Sequence, residues 1–158
     1  MGPSDHLLRT LAGVPPGARV VDVACGAGRH LDPLARLGFD VWGAAETPAD
    51  VEAARQRLAG VLGADEAARR VTRGAPDALG YPDAWADWLV VAGVDDLAAV
   101  LAEAARVLAP GAWVWVETAG AVDDLEADAA AAGLVVAEAP SDGGGVVHAI
   151  FRRPGGVG

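Results

Sequence analysis

The stretch Val21-Asp22-Val23-Ala24-Cys25-Gly26-Ala27-Gly28-Arg29-His30 decides how the rest of the chain is read. An apolar, β-branched run carrying one carboxylate enters a turn with two glycines, and an amphipathic run follows. Gly26 and Gly28 let the backbone approach a ligand closely, and the helix expected from about Arg29 aims N–H groups and a positive dipole end at the same place. The turn reads equally well as a cradle for a carboxylate or phosphate and as a tight connector. A dinucleotide fingerprint requires Gly or Ala three residues after the second glycine, and Leu31 stands there. That disfavours a nicotinamide-dependent oxidoreductase. His30 is expected to be an exposed first-turn residue.

Outward from the turn, short β-branched runs alternate with longer Ala/Leu-rich amphipathic runs, with Gly or Pro between them. This is the pattern of βαβ units around a mainly parallel sheet. It predicts helices from Ser4 or Asp5 to before Gly13, from Arg29 to Leu37 and from Pro48 to Leu62 with Thr47 as N-cap. Further helices are predicted at Asp65–Arg70, at Asp95–Leu108 with Asp95 as cap, and at Asp123–Ala132. Strands are predicted at Arg19–Ala24, Asp40–Ala44, Val71–Arg73, Trp88–Ala92, Trp113–Glu117, Leu134–Glu138 and Val146–Arg152. The last two are read as a hairpin around Gly143-Gly144-Gly145. The expected fold is α/β, a doubly wound, mainly parallel seven-stranded Rossmann-like sheet with an antiparallel C-terminal hairpin. One domain over residues 1–153 is expected, with a frayed tail at 154–158.

Composition bounds the function. The chain has 158 residues, enough for one domain that buries roughly 70% of its unfolded surface. With 53% hydrophobic and 22% charged residues it is neither disordered nor fibrous. Asp, Arg, Gly or Pro interrupts every apolar run before the roughly 20 residues of a membrane span, and Met1-Gly2-Pro3-Ser4-Asp5 has no basic head of a secretion signal. A lone Cys25 forms no internal disulfide and suits a reducing cytoplasm; His6, His30 and His148 are too scattered for a zinc site. The net charge of -10, with all 12 basic residues Arg, repels phosphate backbones and anionic lipid. The charge therefore disfavours naked nucleic acid and membranes as partners.

Asp22-Val23-Ala24-Cys25-Gly26-Ala27-Gly28 resembles the first signature of class I S-adenosylmethionine-dependent methyltransferases, an acidic residue before a G-x-G-x-G-like turn. Tyr81-Pro82-Asp83 and Asp87-Trp88-Leu89-Val90 are similar to the family's run into its fourth strand. Ala104 to Gly111 is similar to its "R-V-L-x-P-G-G" phrase, and the segments from Leu125 to the Gly-rich hairpin are similar to its closing elements. The resemblance runs in order from Arg19 to Arg153. It implies S-adenosylmethionine as cofactor. Asp22, Ala24, Cys25, Gly26, Ala27 and Gly28 would surround its methionine part, Ala45, Glu46 and Thr47 would lie at the ribose, and Ala75, Pro76, Asp77 and Ala92 along the nucleoside.

The sequence departs from the family at three of these places. Ala45 stands where the ribose-binding acid belongs, with Glu46 one residue later. Ala75 stands where Asp is frequent, with Asp77 the nearest replacement, and Ala24 replaces a Gly. A hydrogen bond to a charged group is worth about 1.5–3 kcal/mol, so losing the ribose carboxylate weakens binding roughly 10- to 150-fold. These losses keep open a rival reading, a catalytically inactive relative that serves as a binding or assembly module.

Methyl transfer needs positioning more than side-chain chemistry, so no catalytic residue is assigned. Asp95 or Asp96 is a candidate base for a hydroxyl acceptor, with the cap favoured for Asp95. His30 is a candidate contact to the cofactor carboxylate or the acceptor, with the exposed position favoured. The acceptor, a small molecule or a protein, is expected above Ala92–Asp96 and Glu117–Thr118. The Asn-Pro-Pro-Tyr tetrapeptide of amino-group methylation is absent; Ala92-Gly93-Val94 stands in its place. The tryptophans are read as packing, with Trp113 and Trp115 set against a helix. Only about 18 residues precede the first strand, so the site is expected to be open, served by a large acceptor or closed by a second copy in a homodimer.

Overall fold

The computed structural model describes residues 2–155; of the tail expected at 154–158, residues 156–158 lie outside the described residues. Two compact units are present, Met1–Ala75 and Pro76–Gly158.

The first unit runs α1 (Asp5–Ala12), β1 (Arg19–Asp22), α2 (Leu31–Arg36), β2 (Asp40–Ala45), α3 (Pro48–Leu62), α4 (Ala64–Arg70) and β3 (Val71–Arg73). Its strands are parallel in the order β3-β2-β1, with Val20 beside Val41 and Gly43 beside Val71. The Ser4 hydroxyl accepts from the Leu7 amide at 3.3 Å and starts α1, which buries Leu7 and Leu11. Thr47 caps α3 as expected, accepting from the Asp50 amide at 3.1 Å, and α3 buries Val51, Ala54 and Leu58. Gly43 lets α2 approach β2: a Cβ there would lie 3.0 Å from Leu31 Cδ1 and 3.2 Å from the Cys25 sulfur. Burial alone would raise the Asp40 carboxyl, but hydrogen bonds from Arg70, Arg19 and Trp42 outweigh it and hold it below its ordinary value.

The second unit runs β4 (Ala86–Ala92), α5 (Leu97–Val107), β5 (Leu108–Thr118), α6 (Val122–Ala131), β6 (Val135–Gly143) and β7 (Val146–Arg152), with strands in the order β4-β5-β7-β6. β4 and β5 are parallel, and β7 is antiparallel to both β5 and β6. Every residue of β4 except Asp87 is buried, as its continuous apolar run requires.

Several boundaries differ from the sequence reading. β1 stops at Asp22, so Val23 and Ala24 belong to the turn, and α2 starts two residues late. The cap of α5 is Asp96, whose Oδ1 accepts from the Ala99 amide at 3.2 Å, and not Asp95. Pro110-Gly111 does not separate helix from strand. β5 already begins at Leu108, paired with Ala86, and the next pair is Trp88 with Trp113. The residues between bulge out, with Gly111 at φ 83° and its amide donating to Arg153 at 2.9 Å. β6 continues to Gly143 because it pairs with β7 as far as Gly143–Val146, although both of its faces are largely exposed. Its polar second half has no alternation for a sequence reading to find. Trp115 is buried, whereas Trp113 stacks on Trp88 at 5.2 Å with the Arg152 guanidinium 5.6 Å from its ring. Its partners are therefore a tryptophan and an arginine of neighbouring strands. No helix among the described residues is long and apolar enough to cross a membrane.

Hydrogen bonding from Arg106 holds the Glu103 carboxyl below its ordinary value of 4.5, as the Arg70 group holds Asp40 below 3.8. A carboxyl depressed on folding stabilises above its unfolded pKa and loses that contribution as pH falls through the folded one. Urea midpoints should be flat from pH 7 to 5 and drop below about pH 4.5. Glu103→Gln should lower the neutral-pH midpoint and shrink the acid drop.

Candidate functional site

β1 delivers Asp22 into the turn, buried, with its Oδ1 accepting from the Ala24 amide at 3.3 Å. The other oxygen lies 3.5 Å from His30 Nδ1. His30 is also buried, contrary to the expectation of an exposed residue, because both ring nitrogens are used inside the protein. Nε2 accepts from the Ser4 amide at 3.1 Å, which leaves the ring proton on Nδ1, facing Asp22. Arg29 Nη1 donates to the Gly2 carbonyl at 3.1 Å, a second tie between the turn and the segment before α1. Asp22 thus shapes the turn from within.

The two glycines have different reasons to be there. Gly28, at φ 90°, faces α3: an added Cβ would lie 2.9 Å from the Ala54 Cα. Gly26, at φ 52°, has nothing within 4 Å of its Cβ direction. The turn is therefore open at Gly26, half-buried, with Ala27 exposed beside it. The helix dipole plays less part than expected, since α2 has six residues and the Leu31 amide already donates to the Gly28 carbonyl at 3.1 Å. The Cys25 side chain is buried, with its thiol donating to the Gly26 carbonyl at 3.5 Å. Burial first, then the carboxylates of Asp22 and Asp50, push its thiol far up, so it is no nucleophile.

At the end of β2, Ala45 is buried and Glu46 is exposed in the bend before Thr47. The strand ends at Ala45, so the alternation that would turn Glu46 to the opposite face does not apply to it. The Glu46 carbonyl takes a 3.1 Å bond from Arg73. Ala75 and Pro76 are half-buried and Asp77 is exposed in the loop that follows β3. Ala92, the last residue of β4, is buried and followed by exposed Gly93 at φ 67°.

In the second unit, a pocket of about 360 Å³ opens at the carboxyl ends of β4 and β5. Asp95, Asp96, Thr118, Asp124 and Asp128 give it its polar lining. It coincides with the acceptor region expected from the sequence at Asp95–Asp96 and Thr118; Asp124 and Asp128, one turn apart on α6, were missed. Their i,i+4 spacing is the signal that would have found them. No tryptophan lines it. The pair formed by Glu117 and His148, 2.9 Å apart, was also missed, because their strands are far apart in sequence. Among the described residues no group of His, Cys, Asp or Glu could hold a metal ion.

Comparison with known proteins supplies the family. A family profile described as a methyltransferase domain matches residues 20–111, more than half of the chain. The chain belongs to that family. It is a member of the class I S-adenosylmethionine-dependent methyltransferase superfamily, and its fold is the mainly parallel Rossmann-like sheet of that superfamily with antiparallel final strands. A TehB-like SAM-dependent methyltransferase from Corynebacterium glutamicum is similar over 93% of this chain and 85% of its own, with TM-score 0.75 and 22% identity. A geranyl diphosphate methyltransferase in complex with GPP and sinefungin is similar over 94% and 77%, with TM-score 0.71 and 19% identity. The [4+2]-cyclase SpnF is similar over 96% and 82%, with TM-score 0.76 and 18% identity. No curated protein matches the sequence.

Gly28→Ala should cost about 2–5 kcal/mol from strain and overpacking together, and Gly26→Ala only about 1–2 kcal/mol from its left-handed backbone. Urea titration of both variants checks the ranking. His30→Phe keeps the ring volume but strands a buried carboxylate and an amide, at about 2–4 kcal/mol.

Proposed function

We propose that this protein transfers the methyl group of S-adenosylmethionine to an acceptor held in the aspartate-rimmed pocket. The observation that carries the reading is the vacant approach over Gly26, on a family-matching turn whose neighbouring glycine is committed to packing. With nothing within 4 Å of the Gly26 Cβ direction, the backbone of Ala24 to Gly28 is open to approach by the amino-acid end of the cofactor. The bound cofactor supplies a methyl group on a positively charged sulfur that is already a good leaving centre. The chain binds and orients. Glu46, exposed beyond the end of its strand, is the acid available to ribose hydroxyls in place of Ala45, and Asp77 serves the adenine end in place of Ala75. Thr47 holds the start of α3 beside Glu46, and Pro76 and Ala92 contribute backbone and apolar surface along the nucleoside.

With Asp96 committed to capping α5, Asp95 is the carboxylate of that pair left at the pocket rim to take a proton from the acceptor. Four aspartates without a basic residue in the lining favour an acceptor that is cationic or rich in hydrogen-bond donors, and disfavour an anionic one. A cytoplasmic setting is part of this proposal, as is a homodimer that closes the site over a small-molecule acceptor. The buried Ala45 favours one rival, a relative without catalysis, and the likeness to a [4+2]-cyclase illustrates that this fold is not tied to one reaction.

Calorimetric titration with S-adenosylmethionine should give a dissociation constant between micromolar and millimolar, and absence of heat at millimolar ligand supports the rival. Glu46→Ala should weaken binding severalfold; an unchanged affinity removes Glu46 from the site.

A further inference from the structure

Arg106, in the last turn of α5, spends all five N–H donors of its guanidinium within the unit. Nε donates to Glu103 Oε1 at 2.6 Å, and one Nη2 bond goes to Glu103 Oε2 at 2.9 Å. The other donors leave the helix for the loop. Nη1 reaches the Tyr81 carbonyl at 2.9 Å and Asp83 Oδ1 at 2.7 Å, and Nη2 reaches the Leu79 carbonyl at 3.1 Å. Glu103 completes the grip from its own side, with Oε2 accepting from the Leu79 amide at 2.6 Å. The chain is then stitched back to the end of α5, where Ala84 donates to the Arg106 carbonyl at 2.9 Å and Trp85 to the Val107 carbonyl at 2.7 Å. The Tyr81 and Trp85 rings stack 5.0 Å apart across this bend.

So dense a clamp is unusual on a loop rich in Gly, Pro and Ala, whose composition would leave it mobile. The clamp closes at Leu79, two residues after Asp77. We propose that Arg106 and Glu103 are positioning residues for cofactor binding: they hold Pro76-Asp77 in its binding arrangement before ligand arrives. This rests on the assignment of Asp77 to the nucleoside. An ordered loop removes an entropy cost from binding, so loosening it lowers affinity without removing any contact to the ligand. Lys is no substitute for Arg here, because an ammonium has three donors and cannot serve two loop carbonyls, the Asp83 carboxylate and both Glu103 oxygens at once.

The test is calorimetric binding of S-adenosylhomocysteine to the full chain and to Arg106→Lys, Asp77→Ala and the double variant, well below their melting temperatures. Amide exchange at Leu79 is followed in parallel, without ligand. Arg106→Lys should bind about 10-fold more weakly and exchange faster at Leu79. In the Asp77→Ala background the Arg106 effect should shrink to about 2-fold or less. A merely structural role would lower melting temperature yet leave the two substitutions multiplicative. Equal affinity of Arg106→Lys and the unsubstituted chain, or multiplicative effects, overturns the inference alone. No binding by the unsubstituted chain overturns the cofactor reading, and this inference with it. Should Arg106→Lys fail to fold, Glu103→Gln and Asp83→Asn, the latter at a side chain 79% exposed, decide it by the same comparison.

Discussion

One buried imidazole holds the bend after β1 in shape. His30 satisfies a carboxylate with one nitrogen and a backbone amide with the other, at a place where either group left alone would be costly. Asp22 in turn accepts from the Ala24 amide, and the Ser4 amide belongs to the cap of α1. Strand end, turn and first helix are thereby fixed to one another through a single side chain.

The second unit has a comparable economy. α5 carries pocket-lining residues at its start, where Asp96 is occupied as a cap, and the Glu103–Arg106 clamp at its end. A single helix thus borders the aspartate-lined pocket at one end and holds the loop from Leu79 to Asp83 at the other. The two ends use different physics: a neutral amide bond to a carboxylate at one, a saturated guanidinium at the other.

Family and reaction stand on different grounds. The profile match over residues 20–111 gives the family, and the likeness to solved structures gives the fold. The acids at Glu46 and Asp77 stand on neither, because Ala45 and Ala75 occupy the places the family fills. Their assignment depends on what this chain exposes at those strand ends.

The sequence by itself determined the order of strands and helices, the Thr47–Pro48 start of α3 and the glycine turn, since periodicity, caps and left-handed positions are local properties. The place of the aspartate-lined pocket, beyond the ends of β4 and β5, was legible for the same reason, as strand ends follow from strand positions. Tertiary structure decided the rest. Nothing local in Arg29-His30-Leu31 tells that His30 turns inward, because its partners lie 8 and 26 residues away. Gly28 and Gly26 look alike in sequence, and only the approach of Ala54 separates packing from access. Likewise, Arg106 reads as an exposed helix charge until the loop from Leu79 to Asp83 folds over it, and the polar half of β6 is a strand only because β7 supplies its hydrogen bonds.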